Sequence, residues 1–204
     1  MSKENLIVIA GCNGSGKSTF GNLLISEDMV IFDADKRKKE IYDGFSFDFE
    51  LRDEMSWNQT QQEFEKFVFE ALELKTNFAF ETNFHHKPMT WVNKFKSSGF
   101  KVHLLFFALE NTNVAIERVA IRFQGGGHFV RKEEIEKRYF KGFENLDNYF
   151  QEFDSILIVE TSAKNKKPQT IAFIDFDKTV TSIHPTPAYF KNVCPLLARY
   201  IEVI

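Results

Sequence analysis

Gly11-Cys12-Asn13-Gly14-Ser15-Gly16-Lys17-Ser18 follows the spacing G-x-x-x-x-G-K-[ST] without a substitution. That spacing has a chemical reason. Glycines let the backbone curl so that successive N–H groups point into one concavity, which suits anionic oxygens. A helix beginning at Lys17 adds the partial positive charge of its N-terminus. Lys17 would then reach β- and γ-phosphates, with Thr19 next in line after Ser18, whose hydroxyl suits Mg²⁺. The pattern predicts a nucleoside triphosphate bound with Mg²⁺. The alternative is a Gly-rich turn that binds nothing, and a full match directly after an apolar run argues against it.

Carboxylates recur where such a site needs them. In open α/β sheets ligands sit outside the carboxyl ends of the strands. Asp33-Ala34-Asp35 and Glu81-Thr82-Asn83 each follow an apolar run. A carboxylate there can orient an acceptor hydroxyl and take its proton, or hold metal-bound water. Asp33 or Asp35 can equally be a helix N-cap. Glu81 at the end of an apolar strand calls for a partner such as metal-bound water or substrate. His85 and His86 just beyond read as an exposed loop pair.

Arg118 and Arg122 are four apart and share one helix face. Gly125-Gly126-Gly127-His128 follows, then Arg131 and Arg138. Cations around a glycine hinge suit a lid that closes over a triphosphate and neutralises charge on the transferred group. Glu134, four before Arg138, makes a solvated ion pair the simpler reading for that arginine.

The elements that must position these groups follow from apolar periodicity. Short apolar runs at 6–10, 29–32, 77–80, 102–108, 155–159 and 171–174 read as strands, most of them buried on both faces. Helical stretches are expected at 17–24, about 47–75, 88–97, 111–124 and 132–150, with Pro88 in a first turn and Asn111 or Thr112 as a cap. The alternation predicts an α/β fold, a mostly parallel sheet flanked by helices with an Arg-rich helical lid. The polar basic loop 163–168 divides a domain at 1–162 from an extension at 163–204, a strand plus a short helix.

The chain has 204 residues, of which 43% are hydrophobic and 24 are Phe, enough for a sizeable core. Its net charge of −3 argues against a general nucleic-acid binder. Cys12 and Cys194 match no metal or redox spacing, which suits a reduced compartment. No apolar run is long enough for a bilayer and no signal peptide is evident, so a cytoplasmic location is expected.

The segment Ala115-Ile116-Glu117-Arg118-Val119-Ala120-Ile121-Arg122, then Gly126-Gly127-His128-Phe129-Val130, then residues 135–139, resembles the zeta toxin-like kinases. The phosphate loop, the Asp33-Ala34-Asp35 step and the Glu81-Thr82 step extend that resemblance over nearly all of residues 1–162. It implies transfer of a phosphate from ATP or GTP to a sugar hydroxyl, in known members that of UDP-N-acetylglucosamine. By position Asp35 resembles the family's catalytic base, Glu81 with Thr82 its acceptor-contacting step, and Arg118 and Arg131 its lid arginines. Arg131 stands where many relatives have Pro, and Glu160-Thr161-Ser162 replaces a common Asp-Asn-Ser. The resemblance also brings an antitoxin protein as a partner for some members; no antitoxin-like segment is evident here.

A second motif competes. Residues 171–174 followed by Asp175-Phe176-Asp177-Lys178-Thr179 resemble the first motif of the haloacid dehalogenase phosphatases, in which the first Asp is a nucleophile. Either the motif belongs to a truncated bifunctional protein, or it is a coincidence in a strand and turn. The first option makes a polynucleotide 5′-hydroxyl the alternative acceptor, with nucleic acid as partner. A P-loop NTPase without an acceptor is the third reading.

Overall fold

The computed structural model describes residues 4–26, 29–46, 49–127, 129–163, 167–177, 179–182 and 185–203. His128, Lys178 and residues 47–48 and 164–166, all named above, lie outside them.

In chain order the elements are β1 (Asn5–Ala10), α1 (Lys17–Leu24), β2 (Ile31–Phe32), α2 (Ala34–Gly44), α3 (Phe49–Leu74), β3 (Phe78–Thr82), α4 (Met89–Ser97), β4 (Lys101–Ala108), α5 (Thr112–Gln124), α6 (Lys132–Tyr149) and β5 (Ser155–Glu160). There follow β6 (Gln169–Asp175), β7 (Thr179–Ser182), α7 (Ala188–Val193) and α8 (Pro195–Val203). One seven-stranded sheet has the order β2-β3-β1-β4-β5-β6-β7. The first five strands in that order pair in parallel, and β6 and β7 are antiparallel. After β1 the chain moves to the β2–β3 side and later to the β4–β5 side. That switch opens a crevice at the C-terminal end of β1, where ligands of α/β sheets bind.

Alternation along β1 decides which helices cover which face. Leu6, Val8 and Ala10 join the main core with residues of α3, α4, α5 and α6, among them Phe64, Val92, Phe95, Ala115 and Phe143. Ile9 faces the other way, with Leu105, Phe107 and Val159, under Phe20 of α1. That second face is covered thinly: Ile7 and Leu157 are only partly buried and Phe173 is exposed.

The Phe-rich composition has a concrete use. Phe64 of α3 meets Phe32 at 5.2 Å, Phe80 at 5.3 Å and Trp91 at 5.5 Å between ring centroids. Burying each such ring contributes roughly 1.5–3 kcal/mol. The cluster pins α3 and α4 to β2 and β3, which carry the acidic steps.

Two elements differ from the sequence-based expectation. The second strand is only two residues long, because Val30 is 82% exposed at the sheet edge. A separate helix, α2, fills 34–44, a stretch to which apolar periodicity assigns no element; Ile41 is its only buried residue. Residues after 163 form two strands and two helices rather than one of each. β6 extends the sheet from β5, Phe190 of α7 packs 6.1 Å from Phe143, and Asp147 accepts from the backbone N–H groups of Leu196 and Leu197 at the start of α8.

Candidate active site

The phosphate loop is shaped by steric need. Gly11 has φ 141°, and a Cβ there would lie 2.5 Å from the Phe107 carbonyl oxygen. Gly14 has φ 78°, and its Cβ would lie 2.8 Å from the Ala115 carbonyl oxygen on α5. Both positions require glycine. The loop closes with Ser15 N donating to Cys12 O at 3.1 Å, and Thr19 N and Phe20 N donate to Gly16 O. Among the described residues, the amides of Gly14, Gly16, Lys17 and Ser18 find no acceptor in the protein. The hydroxyl of Ser15 is buried without a partner. Buried donors are normally satisfied, so this cradle lacks an acceptor and fits phosphate oxygens. Lys17 Nζ donates to Gly11 O at 2.6 Å, Cys12 O at 3.1 Å and Asn83 Oδ1 at 3.4 Å. Burial pushes the Cys12 thiol up to about 11, so it is an inert part of the floor.

A cleft of about 750 Å³ opens over the loop. Of the candidate residues, Asn13, Gly14, Gly16, Lys17, Ser18, Thr19, Asp35, Glu81, Arg118 and Arg122 line it. Gly11, Cys12 and Ser15 lie beneath. Thr82 turns away to accept from Phe84 N at 3.0 Å, in a turn where Phe84 holds φ 56°. Arg131 sits exposed at the N-cap of α6 and does not line the cleft.

Register explains the acidic cluster. Ile9 pairs with Glu81, so Glu81 leaves β3 level with the start of the loop. Ser18 Oγ is 2.9 Å from Glu81 Oε2 and 3.1 Å from Asp33 Oδ2. Asp33 also caps α2, accepting from Lys36 N at 3.0 Å. Glu81 is pushed up to about 7, first by burial and then by the charges of Asp33 and Asp35, against the pull of Lys17 and the Ser18 hydroxyl. A hydroxyl flanked by two crowded carboxylates suits a hard dication, whose charge would relieve the crowding. Among the described residues no group of three His, Cys, Asp or Glu side chains forms a metal site. Mg²⁺ needs none, since phosphate oxygens and water supply most of its shell.

Asp35 lies in the first turn of α2, where Asn13 Nδ2 donates to its Oδ2 at 3.4 Å. The opposite wall comes from α5 and the segment after β5. Asn111 caps α5 through Val114 N. Arg118 donates to Gly14 O at 3.3 Å, Thr161 O at 2.5 Å and Ser162 O at 3.1 Å, joining the loop to that segment. Thr161 Oγ1 adds a bond to Ser15 O at 2.7 Å. Arg122 lines the cleft from the exposed side of the helix.

Sequence reasoning missed three features. Lys36 and Lys39 of α2 line the cleft, hidden with the helix that carries them. Asn83 reaches Lys17. Arg138 does pair with Glu134 at 3.5 Å, as the spacing predicts, but it also donates to Asn13 Oδ1 at 2.9 Å. His85 is half-buried and held below its ordinary value, first by burial and then by the Arg138 charge. No local signal joins residues 125 positions apart.

Sequence comparison completes the picture: a family model for the zeta toxin matches residues 2–174. The chain belongs to the zeta toxin family. It is a P-loop kinase. Comparison with curated proteins gave no match. Among solved structures, the fold resembles a chain of the PezAT chromosomal toxin–antitoxin system of Streptococcus pneumoniae, 16% identical, with 95% of this chain and 78% of that one covered and a TM-score of 0.64. It resembles a chain of the AvrRxo1-ORF1:ORF2 complex with ATP, 12% identical, covering 84% and 58% at a TM-score of 0.65. A chain of the Pnkp1/Rnl/Hen1 RNA repair complex is 22% identical, covering 76% and 47% at 0.55. This zeta toxin family chain thus spans about half the length of the RNA repair chain, and at these identities the likeness is one of fold.

The second motif lies elsewhere. Asp175 pairs with Ser155 at the N-terminal end of β5, the opposite end of the sheet from the cleft. Its Oδ1 accepts from Asp177 N at 3.1 Å, and Asp177 Oδ2 pairs with Lys101 Nζ at 3.0 Å. Neither carboxylate lines the cleft.

Proposed function

We propose that this zeta toxin family kinase transfers the γ-phosphate of ATP, with Mg²⁺, to a hydroxyl of a small-molecule acceptor of the nucleotide-sugar type, UDP-N-acetylglucosamine being the first to test. The observation that carries the reading is Asp35, a carboxylate on a helix N-terminus, facing the same cleft as Lys17 and Ser18. Asp35 accepts the proton of the acceptor hydroxyl as it attacks. Lys17 leaves the loop carbonyls that hold it and follows the β- and γ-phosphates. Arg118 and Arg122 stand over the transferred group, where charge spreads onto equatorial oxygens; Arg131 joins them only if the glycine turn closes. Ser18, with the carboxylates of Asp33 and Glu81, would hold Mg²⁺ and its waters, and the ion would supply positive charge against that of the triphosphate.

Glu81 lines the same cleft as Asp35, on the acceptor side. Kinship with a toxin–antitoxin system makes a protein antitoxin the partner to look for. The polynucleotide alternative predicts transfer to oligonucleotide ends and a steep salt dependence. Labelled phosphate transfer from ATP to UDP-N-acetylglucosamine, with Lys17→Ala as blank, tests the proposal. Asp35→Asn should lower turnover by on the order of 10²–10⁴-fold with nucleotide affinity nearly unchanged. Equal transfer by wild type and Asp35→Asn would remove the base assignment.

A further inference from the structure

We propose that Arg138 is a positioning residue for phosphotransfer: acting through Asn13, it fixes the carboxylate of Asp35 beside the phosphate loop. The inference rests on the reading of Asp35 as acceptor base and adds the device that aims it.

Three side chains form a line from α6 to α2. Arg138 Nη1 donates to Asn13 Oδ1 at 2.9 Å, and Asn13 Nδ2 faces Asp35 Oδ2 at 3.4 Å. Chemistry fixes the amide's orientation. A guanidinium only donates and a carboxylate only accepts, so the oxygen of Asn13 must face Arg138 and its NH₂ must face Asp35. Asn13 is 2% exposed, so its amide depends on these two neighbours rather than on bulk water. Arg138 is itself held: Glu134 lies 3.5 Å from its Nε, and that Nε is buried without a hydrogen bond.

Removing Arg138 would leave the oxygen of Asn13 buried without a donor. The amide could then turn, and its oxygen would face the carboxylate it now supports. Asp35 would lose its one side-chain donor on the loop. The phosphate cradle would keep its shape, because glycine conformation and backbone bonds set it. The effect should therefore fall on the chemical step and spare nucleotide binding.

The experiment compares Arg138→Met, Asn13→Leu, the double variant and Arg138→Lys, using ATP, Mg²⁺ and UDP-N-acetylglucosamine. Asn13→Leu adds no charge but can neither accept from Arg138 nor donate to Asp35. Each single variant should lower kcat roughly ten- to a hundredfold, the cost of a misaimed catalytic group. The nucleotide Kd of Arg138→Met should stay within about twofold, and the kcat of the double variant should fall no further than that of the worse single one. Arg138→Lys, which restores one donor, should recover part of the loss. Nucleotide affinity of Arg138→Met falling in step with its kcat, losses that multiply in the double variant, or unchanged kcat would each overturn the proposal.

A second measurement needs no acceptor. In protein labelled with ¹⁵N at asparagine, the side-chain NH₂ signals of Asn13 should shift in Arg138→Met and also in Asp35→Asn. Signals unmoved by Arg138→Met would overturn the inference. Wild-type turnover in Asp35→Asn would instead remove the base assignment, so the two failures are distinguishable.

Discussion

The two ends of the sheet each carry a cluster of charge, and only one cluster is satisfied. At the N-terminal end of the parallel strands, Lys101 Nζ lies 2.6 Å from Asp154 and 3.0 Å from Asp177, and Asp154 also accepts from Val102 N at 2.8 Å. Burial alone would raise Asp154, but the Lys101 and Val102 hydrogen bonds outweigh it and hold the carboxyl below its ordinary value. At the C-terminal end, Asp33 and Glu81 crowd the Ser18 hydroxyl with the charge of Asp35 close by, Glu81 stands at about 7, and the Ser15 hydroxyl has no partner. Buried polar groups without partners are costly. A fold keeps such groups where a ligand will complete them. The Asp-x-Asp motif, which resembles phosphatase chemistry in sequence, belongs to the satisfied end.

The comparison can be broken by substitution, and the largest effects are expected at the unsatisfied end. Lys17→Ala should lower phosphotransfer by at least about 10²–10³-fold, the cost of removing one preorganised donor. Labelled transfer assays measure it; near-normal transfer would place the reaction elsewhere.

Glu81→Gln should stabilise the protein when divalent metal is chelated. The folded-state carboxyl titrates near 7, above its ordinary value of 4.5. The wild type therefore loses stability as pH rises from the ordinary value to about 7, as Glu81 is forced to ionise. The variant should lack that loss and gain about 1–3 kcal/mol near neutral pH. Denaturant titrations at several pH values, with chelator, read the difference directly; equal pH slopes would contradict the crowding.

Lys101→Met works in the opposite sense. It should cost about 1 kcal/mol near neutral pH while leaving phosphotransfer intact. The wild-type contribution is present above the ordinary value of Asp154, 3.8, and fades as pH falls through its lowered folded value. Asp177→Asn, at a more exposed partner, should change stability by less than about 0.5 kcal/mol. Loss of transfer in either variant would erase the distinction between the two ends.

Sequence alone displayed the satisfying features unevenly. The phosphate loop is legible because one short segment carries its whole geometry: glycines at positive φ, then a lysine and a serine on a helix start. The strands are legible because burial on both faces writes continuous apolar runs. α2 is illegible because only Ile41 is buried, so the helix that carries Asp35, Lys36 and Lys39 has no apolar stripe. Its one trace was Asp33, which caps it. Arg138 was read from its neighbour four residues away, yet its partner Asn13 lies in another layer of the fold. The Asp175-x-Asp177 step shows the converse failure. A local pattern suggests a site, and only the pairing of β6 with β5 reveals that it faces away from the cleft.

Calorimetric titration of the wild type and Asp35→Asn with ATP and Mg²⁺, followed by assay of the same samples for phosphotransfer, bears most directly on the central claim. Both proteins should bind the nucleotide with similar heat and affinity, and only the wild type should pass its phosphate on. Absence of binding heat in the wild type would contradict the account at its root.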